Sequence, residues 1–229
     1  MARLFMDHPN AQVVCGKEWG FRDNNPADSV LHPGSIIQKN VFETIQVGII
    51  DQPCTFFKTA AIKNIFPLDV SLRYVMDRQL WWAYLLQHGQ DNIIITEDIF
   101  TNFRLHEQSK TVTDGDLFEN DFDRLKLSLL QQLNAPEILL KQIPAALPVS
   151  NTYWKINMSP VTHIMAAFAT YYAERHYVKE NLKETAALMQ WVKKWKGNTM
   201  SSKELKLWAA SCLMPKSVLM KLKKLKQKL

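Results

Sequence analysis

The sequence predicts an α/β fold for its first half and a mostly helical second half, and three observations carry that reading. Up to about residue 113, short β-prone runs alternate with brief helical pieces. Beyond Thr113 every periodic segment has helical spacing and is bounded by Pro or Gly. Hydrophobic residues make up 47% and charged residues 22% of the 229, enough for a core, which excludes disordered, collagen-like and low-complexity classes. Two domains are expected, 1–113 and 114–229.

In chain order, Ala11 to Cys15 and Gly16 to Phe21 read as strands, followed by the turn cluster Arg22-Asp-Asn-Asn-Pro26. Ile36 to Ile50 suits a helix, ended by Gln52-Pro53. Cys54 to Phe57 is a short strand and Thr59 to Ile65 a short helix. Met76 to His88 has helical periodicity and is stopped by Gly89. Ile93 to Thr96 and Ile99 to Leu105 read as strands. Helices are then expected over 116–133, 136–146, 160–178, 181–196, 202–213 and 216–229.

The net charge of +6 is unevenly placed: Trp191 to Leu229 carries +10 and the first 190 residues −4. A lysine-rich end on a mildly acidic body points to an anionic surface for that end alone. In Lys216 to Leu229 the residues Val218, Leu222, Leu225 and Leu229 form one stripe with lysines around it, the pattern of a helix lying on an anionic membrane. The same stripe would also pack on preceding helices. Nucleic acid is not expected as a partner, because lysines without interleaved aromatic readers give charge but no base recognition. Cys15, Cys54 and Cys212 are scattered and never in a Cys-x-x-Cys pair, which argues for a reducing compartment and against a structural zinc. With no apolar run of about 20 residues and no signal-peptide pattern, the expected location is cytoplasmic, either free or peripheral to the membrane's cytoplasmic face.

Dinucleotide, P-loop, zincin and Gly-x-Ser-x-Gly motifs are all absent. Asp114-Gly-Asp116 has metal-binding spacing but sits where Asp caps a helix. Two segments remain. Leu68-Asp-Val-Ser-Leu-Arg-Tyr-Val-Met-Asp77-Arg-Gln-Leu-Trp81 puts Asp77 at a helix start, where on composition alone an acid simply favours the dipole. Asn102-Phe-Arg-Leu-His106-Glu-Gln-Ser-Lys-Thr111 ends a strand with a histidine that would ordinarily be structural.

In this order and spacing the two segments resemble the acceptor-side half of bacterial family 2 glycosyltransferases of the GT-A fold, a Rossmann-like architecture. Leu4-Phe-x-x-His8-Pro9, Val13-x-x-Gly16, His32-Pro-Gly-Ser35 and Gln52-Pro-x-x-Phe56-Phe57 match collinearly, so the resemblance covers residues 1 to 113. It implies that Asp77 is the general base of an inverting transfer from a nucleotide-sugar donor to a glycan or lipid-linked acceptor, in cell-surface polysaccharide or glycoconjugate synthesis. It implies that His106 helps hold a divalent metal, Mn2+ or Mg2+, in the complete enzyme. Gln52, Pro53, Phe56 and Phe57 would line the acceptor side. Trp81 and Trp82 would support the base helix, one of them offering a stacking face.

The chain departs from the family at Gln79, where a second Asp is common, and at Phe66-Pro67, where Gly-Gly is common. The nucleotide-binding half and its Asp-x-Asp would precede residue 1. The expectation is a C-terminal part of such an enzyme with negligible activity alone, the alternative being a non-catalytic remnant that binds a partner or a sugar.

Overall fold

The computed structural model describes residues 1–22, 25–65, 67–106, 115–144 and 148–213. The chain is mixed α/β and divides into two compact units, one of residues 1–132 and 146–158, the other of 133–145 and 159–229. The expected helical tail 216–229 lies outside the described residues. The change in texture near residue 114 is not where the units part, because the helix that follows it belongs to the first unit.

In the first unit, α1 (Ala2–Asp7) leads into β1 (Val13–Arg22), the strand around which the sheet is organised. β1 pairs along its length in parallel with β4 (Ile93–Leu105). Antiparallel to it lie β3 (Thr55–Phe57), beside Val13–Cys15, and β2 (Asn25–His32), beside the second half of β1. The two strands expected within 11–21 are therefore one, as are the two expected within 93–105. The β1–β4 register shifts between Cys15 and Lys17 and again before Glu18, so extra residues of β4 bulge out around Glu97, which pairs with Lys17.

The helix expected over 36–50 is much shorter. α2 spans Val41–Val47, because Asn40 caps it by accepting from Glu43 N at 3.0 Å, while Ile36 and Ile49 pair as an isolated antiparallel bridge. A 3-10 turn (Gln52–Cys54) and α3 (Thr59–Ile62) flank β3. α4 spans Met76–His88 and stops at Gly89, whose φ of 73° suits glycine. It buries Trp81, Trp82, Tyr84, Leu85 and Leu86.

α5 (Gly115–Gln132) adds Leu125, Leu129 and Leu130 to this core. The extended stretch that follows residue 147 returns to it. There Gln132 clasps the backbone of Trp154, accepting from its N at 2.8 Å and donating to its O at 2.6 Å, and the buried indole donates to Ser128 at 2.9 Å. Satisfying both main-chain groups allows an irregular strand of chain to be buried without orphaned polar atoms.

The second unit is helical: α6 (Glu137–Leu140), a single turn where 136–146 was expected, α7 (Thr162–Val178), α8 (Leu182–Lys196) and α9 (Ser202–Cys212). α7 and α8 bury Ile164, Phe168, Ala169, Leu188, Met189 and Val192. Ser201 and Glu204 form a reciprocal cap on α9, and the buried Glu204 accepts from Lys196 Nζ at 2.8 Å. Among the described residues no helix is long and apolar enough to cross a membrane.

Candidate active site

Four sequence-distant motifs meet in the first unit. Gly34, with φ 76°, lies so close to β1 that a Cβ there would stand 1.9 Å from Gly16 O, so the glycines of Val13-x-x-Gly16 and His32-Pro-Gly-Ser35 are in backbone contact. The close approach carries Ser35 inward, where its hydroxyl lies 2.6 Å from Thr55 Oγ1 and accepts from Asp51 N at 2.7 Å. Thr55 donates in turn to Asp51 O at 2.7 Å. The Gln52–Phe57 segment is thereby fixed at its start, and Thr101 of β4 donates to Pro53 O at 2.8 Å.

Asp77 opens the first turn of α4, where the helix dipole favours a carboxylate. Its Oδ1 accepts from Arg78 N at 2.7 Å. The Arg78 side chain donates to Gly48 O at 2.5 Å, with its guanidinium 4.8 Å from the centre of the Phe122 ring. This bond ties the start of α4 to the chain just ahead of Asp51. Burial pushes the Asp77 carboxyl above its ordinary range and the Asp51 charge adds to this, while the Arg78 amide and guanidinium oppose it. A carboxylate raised in this way accepts a proton more readily than a free one.

Beside it, Asp51 also faces Glu18. Glu18 is only 6% exposed and its Oε2 is buried without a hydrogen-bond partner among the described residues. Burial, then the charge and hydrogen bond of Asp51, push Glu18 up to about 7. The same burial holds Cys15 at about 11 and Cys54 at about 12, so neither thiol is a nucleophile at neutral pH.

No family model, curated protein or solved structure gives a significant match to the chain.

Of the residues expected on the acceptor side, Gln52 is exposed and Pro53 half-buried. Phe56 meets Phe100 edge-on at 5.6 Å, and Phe57 meets Trp81 and Tyr84 at 6.2 and 5.7 Å. Trp81 is fully buried and stacked on Tyr84, so it supports α4 and presents no face to solvent; Trp82 is likewise buried. His106 is exposed just past the end of β4. Thr101, which pairs with Glu18, precedes it by five residues, about 16 Å along a strand, so the histidine is not brought to the carboxyl cluster. Among the described residues no three His, Cys, Asp or Glu side chains are grouped to hold a metal.

Gln79, the departure from the family pattern, is buried and structural. Its Oε1 accepts from Asp69 N at 2.9 Å and its Nε2 donates to Thr152 at 2.8 Å, a donor role an aspartate lacks. Sequence reasoning missed Glu18, Asp51 and Arg78. The available signal for Glu18 was its place on β1 between Gly16 and Gly20, two positions either side on the same face, although the space beside those glycines is taken by Phe100 and His32.

Proposed function

We propose that the first unit is the acceptor side of an inverting glycosyltransferase of family 2 with a GT-A fold, and that Asp77 is its base. The observation that carries this reading is the assembly, around one raised carboxyl, of the motifs Val13-x-x-Gly16, His32–Ser35, Gln52–Phe57 and the start of α4.

In this reading Asp77 takes the proton from an acceptor hydroxyl as that oxygen bonds to the anomeric carbon of a nucleotide-activated sugar. The bond from that carbon to the diphosphate breaks on the opposite face, the nucleotide leaves, and the configuration inverts. Arg78, anchored on Gly48, holds the start of α4 against Asp51, whose charge raises the proton affinity of the base. The chain works in the cytoplasm, where its three free thiols persist and nucleotide sugars are made, with Lys216 to Leu229 resting on an anionic membrane surface.

The test is nucleotide release from a panel of nucleotide sugars, with Mn2+ or Mg2+, by the chain joined to a glycosyltransferase nucleotide-binding half. Asp77→Asn keeps shape and removes the basic lone pair, so turnover should fall on the order of 10²- to 10⁴-fold with donor binding kept. Full activity in Asp77→Asn would refute the assignment.

A further inference from the structure

Round the helix from Asp77, the first unit carries a separate cavity of about 590 Å3. Gln79, Ala83 and Gln87 form one side of it, recurring every four residues along α4. Gln79 lies about 200° round the helix from Asp77, so the cavity and the candidate base use different faces. Its other walls are the chain around Pro67–Val70 and the segment Asn151–Tyr153 with Lys155. The volume falls within the range of about 300–1,000 Å3 usual for small-ligand pockets.

A hydrogen-bonded latch centred on half-buried Asp69 ties these walls together. Asp69 Oδ2 accepts from Ser150 Oγ at 2.6 Å and from Asn151 N at 3.1 Å, and its Oδ1 accepts from Ser71 N at 2.9 Å. Gln79 joins Asp69 to Thr152. Burial raises the Asp69 carboxyl, but the bonds from Ser150, Ser71 and Asn151 outweigh it and leave it below its ordinary range. Asp69 and Gln79 are thus committed to structure. The side chains of Asn64, Gln87, Asn151, Tyr153 and Lys155 make no hydrogen bond to any described residue, and Tyr153 is 84% exposed.

Three uncommitted amides, each offering a donor and an acceptor a short distance apart, match vicinal hydroxyl groups. An exposed phenol ring beside them can lie on the apolar C–H face of a pyranose. Half-buried Ile65, Leu68 and Ala83 add apolar surface to the lining. A single ammonium is too little for a polyphosphate or nucleic acid. We infer that this cavity binds a short stretch of glycan, with Lys155 favouring an acidic sugar unit. The site is separate from the proposed transfer chemistry, and its occupancy does not depend on that reading.

The test is a glycan array probed with the full chain, followed by calorimetric titration of the best-retained oligosaccharide. Tyr153→Ala and Gln87→Ala should each weaken binding at least tenfold without moving the melting temperature, while Asp77→Asn leaves it unchanged. Retention of no glycan, or affinity unaffected by both groove variants, overturns the inference, as does loss of binding in Asp77→Asn, which would put the sugar at the other site. Intact groove binding alongside undiminished turnover in Asp77→Asn would instead remove the proposed function and leave this one standing.

Discussion

Replacing Glu18 by glutamine should stabilise the protein in alkaline solution and leave it nearly unchanged in acid. The folded chain keeps the Glu18 proton up to about pH 7, whereas the unfolded chain releases it near 4.5. Between those values the folded state binds more protons, so this group's contribution falls as pH rises and is flat above 7. At about 1.4 kcal/mol per pH unit the interval sets a ceiling of roughly 3 kcal/mol. Asp51, the charged neighbour, is only half-buried, so screening reduces this to about 1–2 kcal/mol. The amide in Glu18→Gln stays neutral at every pH and can still donate to Asp51. Urea denaturation followed by tryptophan fluorescence should therefore show a gain of about 1–2 kcal/mol at pH 8, equivalent to roughly 2–8 °C in melting temperature. At pH 4.5 the variant should lie within about 0.5 kcal/mol of the parent. Equal gains at both pH values, or a loss at pH 8, would show that Glu18 is not a buried acid beside Asp51.

Gly34→Ala should abolish the native fold or cost more than about 4 kcal/mol, since it combines a φ of 76° with a methyl driven onto the Gly16 carbonyl; circular dichroism and expression of folded protein would read this, and a well-folded variant would contradict the packing of the two glycines. The chain should co-sediment with anionic vesicles at low salt, release at high salt and ignore zwitterionic ones, each lysine near the surface adding about 1 kcal/mol. Deleting residues 216–229 should abolish that binding, and persistence after the deletion would end the membrane role.

What was legible in the sequence depended on whether local chemistry marked the boundary. α4 was readable because its apolar positions recur at helical spacing and Gly89 closes it. Ile36 to Ile50 misled because its apolar ends serve a β-bridge rather than a helix face, leaving α2 to the stretch that Asn40 caps. β2 was hidden by Asn25-Pro-Ala-Asp28, a turn-like composition that an edge strand tolerates. The bulge around Glu97 disguised one long strand as two. At the site, resemblance alone singled out Asp77, and no spacing rule could have joined Glu18 to Asp51, which are brought together by the contact of Gly34 with Gly16.

The return of the chain to the first unit sets the order in which a nascent protein can finish folding. Trp154 packs 5.8 Å from Trp82 and hydrogen-bonds Ser128, so the core around α4 and α5 lacks a wall until residues 148–158 leave the ribosome. By then Glu137–Leu140, which belongs to the second unit, has already been made. At about 5–20 residues per second the sheet and α4 wait several seconds with the Trp82 indole incompletely covered. Synthesis of this chain thus contains a window in which apolar surface is exposed to chaperones or to neighbouring nascent chains, and it closes when Trp154 arrives.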